Sequence, residues 1–273
     1  MQLGDGGSAP ALSNKAKIPV MPIWKTFGLR IGVVAASVVL WQVAWRLLHW
    51  DARLFPPPLT VFDTLAKDAL SGALLPDVLA SLKRAFLGYS IGAWLGILLG
   101  VITGTRRWAN IGFGTLFQVI RPIPPIALVP LFVVWFGISE TGKVLLVAVG
   151  VFFPVWINTH LGVNAISSTH LYLVQSLHAG YWSRLWNIWL PGAAGAIVAG
   201  LRTSVALAFY CLIAAEMTGA LHGLAYQIEL AHLAFRVDRM IGHMLVLGVL
   251  SFFADLLARC ILARTFPWTV QTE

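Results

Sequence analysis

Few side chains in this sequence could do chemistry, and their spacing limits what that chemistry is. The run Gly137-Ile-Ser-Glu-Thr-Gly142-Lys143 falls one residue short of the phosphate-cradling pattern G-x-x-x-x-G-K-[ST], because Val144 stands where a hydroxyl would hold magnesium. A working loop of that kind joins a strand to a helix in water. This one is a short turn between two apolar runs, so no ATP site is expected in the chain. Glu216 follows the apolar run 211–215, and a carboxylate there needs a cation, water or a proton. An ion pair and a contact to a passing solute are both open to it. Asp255 and Arg259 have the i,i+4 spacing of a helix pair. His160, His178, His222, His232 and His243 share no ligand spacing, and Cys211 and Cys260 lie far apart in apolar segments, so neither a metal site nor a disulfide is expected. Arg121 sits inside an apolar run beside Pro122, Pro124 and Pro125. A guanidinium at membrane depth lines a pathway, joins an ion pair or snorkels to the interface. The prolines remove backbone donors and break the helix, which membranes tolerate where protein or a water-filled cavity covers the gap.

The elements that must position these residues are membrane helices. The chain has 273 residues, 58% hydrophobic and 11% charged, and its mean hydropathy is +0.80; a soluble domain averages about 25% charged residues. The net charge of +8 does not indicate nucleic acid, because Lys and Arg flank apolar runs instead of gathering on one soluble face. Six runs near the length of a spanning helix, roughly 20 residues, lie at about 27–49, 86–105, 113–136, 144–163, 192–217 and 240–262. The expected fold class is therefore all-α, a polytopic membrane protein with six transmembrane helices.

Its organisation reads as an N-terminal tail 1–26, a first anchor 27–49, an external segment 50–85, a five-helix core 86–262 that contains a cytoplasmic segment 164–191, and a tail 263–273. The first run is too long for a signal-peptide core and ends in Trp45-Arg46-Leu47 instead of small residues, so it reads as a retained anchor. Lys15, Lys17, Lys25, Arg106, Arg107, Arg184, Arg259 and Arg264 collect on one side. By the positive-inside rule that side is cytoplasmic, with both termini. The segment with Pro56-Pro57-Pro58 and the amphipathic run 61–70 reads first as a connecting loop, with an external turn and a short interfacial helix as the alternative. In the second span Gly88, Gly92, Gly96, Gly100 and Gly104 recur every fourth residue and share one helix face, the signature of close helix packing in lipid.

Arg121-Pro-Ile-Pro-Pro-Ile-Ala-Leu-Val-Pro130, Trp135-Phe-Gly-Ile-Ser139, Leu190-Pro191, Gly200-Leu-Arg202 and Ala215-Glu216-Met217 together resemble the nitrate/sulfonate/taurine group of binding-protein-dependent transport permeases. The resemblance implies the fold of a type I ATP-binding-cassette importer permease in a bacterial inner membrane. It also implies a second permease copy in a homodimer, a periplasmic solute-binding protein, and cytoplasmic ABC ATPase subunits that hold ATP and magnesium. The chain itself would then be a transport subunit without cofactor or catalytic residue, and its cargo a small oxyanion such as an alkanesulfonate, taurine or nitrate, with thiamine-precursor-like compounds and aromatic acids as the other candidates. Arg121, Pro122, Pro124, Pro125 and Glu216 become candidates for the translocation path.

That family couples to its ATPase through Glu-Ala-Ala, three residues, Gly, nine residues and Ile-x-Leu-Pro. Ile188-Trp189-Leu190-Pro191 matches the end. Counting from Gly180 puts Val174-Gln175-Ser176 at the front, and keeping the full gap puts His178 at the glycine position. The coupling candidates are Ser176, His178, Gly180, Tyr181, Trp182, Trp186, Leu190 and Pro191, and 181–186 reads by itself as an interfacial helix. The alternatives are an ion-coupled secondary carrier, which would present ion-ligand clusters and an internal repeat, and a membrane scaffold that transports nothing.

Overall fold

The computed structural model describes residues 23–167 and 180–267, in two units that divide after His49. The first unit contributes α1, Ile23–Leu48, whose stretch Gly32–Leu48 is apolar and whose last turn carries Arg46, a cation suited to a helix C-terminus.

The second unit contains α2 (Pro58–Leu70), α3 (Leu74–Thr105), α4 (Arg107–Ile120), α5 (Pro125–Phe136), α6 (Glu140–Asn164), α7 (Tyr181–Met217), α8 (Leu224–Leu233) and α9 (Val237–Thr265). Four of these, α3, α6, α7 and α9, are long and apolar enough to cross a membrane, while α4 and α5 form one pair bent by 88°. The bend falls at residues 121–124, where Pro122, Pro124 and Pro125 interrupt the hydrogen-bond ladder, as their sequence positions predict.

The core is a sandwich of α3, α6 and α7. All five stripe glycines of α3 face α6. A Cβ added at Gly88 would lie 2.6 Å from Val147 Cβ, at Gly96 2.8 Å from Val155 Cβ, and at Gly104 2.8 Å from Val163 Cβ. Residue numbers rise together on both sides, so α3 and α6 run parallel. The chain must therefore return across the membrane between them, and the bent pair α4–α5 makes that return crossing; a re-entrant loop would leave α6 antiparallel. On its other face α6 meets α7 with numbers running in opposite directions: Gly162 faces Ala193 and Ala196, Gly200 faces Asn158, and Gly150 faces Cys211. Such contacts are how helices associate in lipid, where dispersion replaces the hydrophobic effect.

Two boundaries differ most from those the sequence predicts. The second span begins at Leu74, well before the expected 86, because Asp77 and Arg84 find partners on other helices and need no water. The segment 181–186 is not a separate interfacial helix but the first turns of α7, continuous for 37 residues. A π-helical turn at Leu185–Trp189 precedes Pro191 and absorbs its missing donor.

The ends of α3, α6 and α7 define two faces, named here after Glu140 and Arg106. At the Glu140 face α2 is held to the start of α9: the Thr64 hydroxyl donates to Asp238 at 2.9 Å, and Arg239 donates to both oxygens of Asp68 at 2.9 and 3.2 Å. Arg236 pairs with Asp238 at 2.8 Å, and that hydrogen bond raises the guanidinium pKa above its ordinary value.

Candidate translocation and coupling site

The phosphate-loop look-alike joins α5 to α6. Gly137, at φ +64°, ends α5, and Ser139 Oγ caps α6 by accepting from Gly142 N at 3.1 Å. Lys143 Nζ donates to Glu140 Oε1 at 2.9 Å. The amide and the ammonium that would cradle phosphate are thus engaged within the turn.

Beneath that turn lies a charge cluster built on one face of α3 by Asp77, Ser81 and Arg84, which follow the i, i+4, i+7 spacing. Arg84 is 5% exposed and uses every guanidinium nitrogen. Nε and Nη2 donate to the two oxygens of Glu140 at 2.6 and 2.8 Å, and Nη1 donates to Glu216 Oε1 at 2.7 Å and to the His222 carbonyl at 2.6 Å. Glu216 is fully enclosed and also accepts from the Ser81 hydroxyl at 2.8 Å and from Ala225 N at 3.0 Å. Of the two roles open to Glu216, these contacts describe the ion pair. Asp77 accepts from Gly223 N at 2.8 Å, and Ser81 Oγ accepts from Leu224 N at 2.9 Å. Three side chains from α3 and α7 therefore satisfy the first amides of α8, which otherwise have no intrahelical acceptor. Gly223, at φ +141°, is required here twice over: its backbone angle suits only glycine, and a Cβ would lie 2.6 Å from the Glu216 carboxyl carbon.

Arg121 sits at the α4–α5 bend with Pro122 and Pro124, all exposed, and Pro125 is half-buried. Among the described residues its side chain makes no ion pair or hydrogen bond. Phe117, one turn before it, stands edge-on to Phe152 and Trp156 of α6, each at 5.2 Å between ring centres, which anchors α4 to the core.

At the Arg106 face, the Arg106 guanidinium lies 4.7 Å over the Tyr181 ring, across a cleft of about 370 Å³ that Asn164, Arg184 and Trp189 also line. Trp182 and Trp186 project outward, 70% and 65% exposed, while Leu190 is half-buried and Pro191 exposed further along α7. Gly180 is extended at the N-cap, and a Cβ there would meet nothing within 4 Å among the described residues. Ser176 and His178 lie outside the described residues. A buried polar link stiffens this end of α3 and α6: Trp156 Nε1 donates to Thr103 Oγ1 at 3.1 Å, and His160 Nδ1 lies 3.0 Å from the same oxygen. No group of metal-ligating side chains occurs among the described residues.

The inner membrane component of binding-protein-dependent transport systems, as a family, matches residues 78–267. The chain belongs to this family. It is 29% identical to a putative aliphatic sulfonates transport permease protein of Bacillus subtilis, over 100% of this chain and 99% of that one. Identity with the taurine transport system permease protein of Escherichia coli is 30%, over 92% and 94% of the two chains. A nitrate import permease protein of Synechococcus elongatus is also 30% identical, over 70% and 71%. The fold resembles that of a chain in the MetNI methionine ABC transporter in its inward-facing conformation, with TM-score 0.61 at 16% identity, covering 70% of this chain and 95% of the other. The permease is thus a multi-pass inner-membrane transport subunit of an ABC importer, and it works with a separate ATPase and a binding protein.

The sequence reading missed Arg84, Asp77, Ser81 and Glu140. The signal was present, since Asp77, Ser81 and Arg84 share one helical face, but it was read as part of an external segment.

Proposed function

We propose that the permease carries a small oxyanion, of the sulfonate, taurine or nitrate kind, past the α4–α5 bend. The observation that carries this reading is Arg121, a cation with no partner among the described residues, exposed at the break in the bent span α4–α5. An anion is the ligand that such a group lacks, and broken helices line paths where exposed backbone must meet water or solute. The relatives named for sulfonate, taurine and nitrate support the same cargo class.

The Arg106 face is the cytoplasmic one, by its collection of Arg106, Arg107, Arg184 and Arg264, with both termini on that side. Residues 164–191 meet the ATPase there, with Trp182 and Trp186 as apolar anchors, the residue type that dominates interface energetics. The partner permease is a second copy of this chain, and exposed apolar side chains such as Val134 and Trp135 of α5 are available to be covered by it or by lipid.

ATP-dependent uptake of labelled taurine, an alkanesulfonate and nitrate into vesicles holding the permease, its ATPase and its binding protein tests the cargo. Transport of none of the three, with uptake of a cation or neutral solute instead, overturns it. Reporter fusions after Lys15 and Thr269 test the sidedness, and an external signal from either overturns it.

A further inference from the structure

The helices α3, α6 and α7 interlock through glycines along their whole contact, so little relative motion is available inside this unit. The bent pair α4–α5 and the sparsely covered α9 lie outside it. Within the unit, α7 runs unbroken from Tyr181 at the Arg106 face to Met217 at the Glu140 face, 37 residues, or about 55 Å at roughly 1.5 Å per residue. What happens at one face is thereby delivered to the other.

At the Glu140 end the next piece of chain, the turn 218–223 with α8, would be free to lag behind if only its covalent link held it. Instead Arg84 grips the His222 carbonyl at 2.6 Å and Glu216 at 2.7 Å, while Asp77, Ser81 and Glu216 hold the amides of Gly223, Leu224 and Ala225. Arg84 also reaches Glu140, the first residue of α6. One side chain of α3 therefore ties α6, α7 and the turn together. The outward side of that turn carries Leu221, 82% exposed.

We propose that Arg84 is a positioning residue for transport: it fastens turn 218–223 and α8 to the α3–α6–α7 unit, so that the mouth at the Glu140 face moves with the helix whose other end meets the ATPase. This rests on the coupling assignment made under the proposed function. The electrostatics fit a fastening that persists through the cycle. The inner half, Arg84 with Glu216, is shielded from water, and separating it would strand a charge in the protein interior. On the outer half, Glu140 keeps Lys143 as a second partner on the same oxygen.

The test uses the whole complex with its ATPase in proteoliposomes, in a Cys260→Ser background carrying Leu221→Cys. A membrane-impermeant maleimide reports the labelling rate of that cysteine, without nucleotide and with ATP and vanadate trapped. The rate should differ about fivefold between the two states, a usual size for coupling between distant sites. In Arg84→Gln and in the double variant Arg84→Gln with Glu216→Gln the difference should vanish, while the ATPase still co-purifies and still hydrolyses ATP. Retention of the nucleotide-dependent difference in either variant overturns the proposal, as does its absence from the unaltered background. A merely structural role would lower the amount of inserted complex and leave the difference in place. Should Arg84→Gln fail to insert, the double variant Arg84→Gln with Glu216→Gln, which leaves no buried charge unpaired, decides alone. An ATPase that never co-purifies with the unaltered permease overturns the coupling assignment instead.

Discussion

Val155 of α6 stands directly over Gly96 of α3, with its Cβ 2.8 Å from the point a Cβ on that glycine would occupy and the Phe152 carbonyl 3.0 Å away. A side chain at position 96 can enter only by pushing the two backbones apart. Overfilling a tight contact by even a few methylenes costs about 1–3 kcal/mol, and Leu is larger than that. Gly96→Leu should therefore lower the melting temperature of the detergent-solubilised permease by several degrees, while Leu98→Ala, at a position 41% exposed, should change it little. Equal melting temperatures for the two variants would show that α3 and α6 do not meet along the stripe.

Glu216 is enclosed, and its loss leaves Arg84 with one partner fewer in a place water does not reach. Breaking a buried pair from one side costs roughly 3–5 kcal/mol, so Glu216→Ala should sharply reduce the folded yield. Removing both charges, as in Arg84→Gln with Glu216→Gln, should recover much of that yield. Denaturation curves of the three proteins measure this, and a double variant no better than Glu216→Ala would count against the pair.

Arg121 faces no partner among the described residues, so its removal should not disturb the fold. Arg121→Gln is expected to insert and melt like the parent while the rate of anionic solute uptake falls about tenfold, the effect of roughly 1.4 kcal/mol on a transport step. Initial-rate measurements in vesicles check this. Unchanged kinetics would assign the guanidinium to the membrane interface instead.

Trp182 and Trp186 project from the start of α7 and are largely uncovered by the described residues. Trp182→Ala should weaken ATPase retention by more than about 1 kcal/mol, the usual threshold for an interface anchor, with membrane insertion intact. Cross-linking from Ser183→Cys to the ATPase gives a direct readout. Labelling of that cysteine by a lipid-soluble reagent alone, under turnover conditions, would place the segment against lipid.

What the sequence made legible was local. The glycine stripe could be read because a step of four fixes a helix face whatever lies opposite, and the broken span because proline removes a donor in any context. The partner of Glu216 was not legible, since Arg84 lies 132 residues away and only the fold brings them together. The early start of α3 stayed hidden for the same reason: Asp77 and Arg84 read as water-facing until their distant acceptors and donors are known. The unbroken α7 was missed because the aromatic and basic residues at 181–186 suit an interfacial helix equally well, and the π-helical turn that carries the helix past Pro191 has no sequence mark.

The 88° bend also bears on how the chain enters the membrane during synthesis. At about 1.5 Å per residue, α4 and α5 reach roughly 21 and 18 Å, each short of a hydrocarbon core of about 30 Å. Neither arm spans by itself, so we expect the return crossing to settle in its bent form only once α6 is made and offers Phe152 and Trp156 to Phe117. Substitutions at those three aromatic positions should then appear first as chains threaded the wrong way and degraded after synthesis, before any transport step is reached.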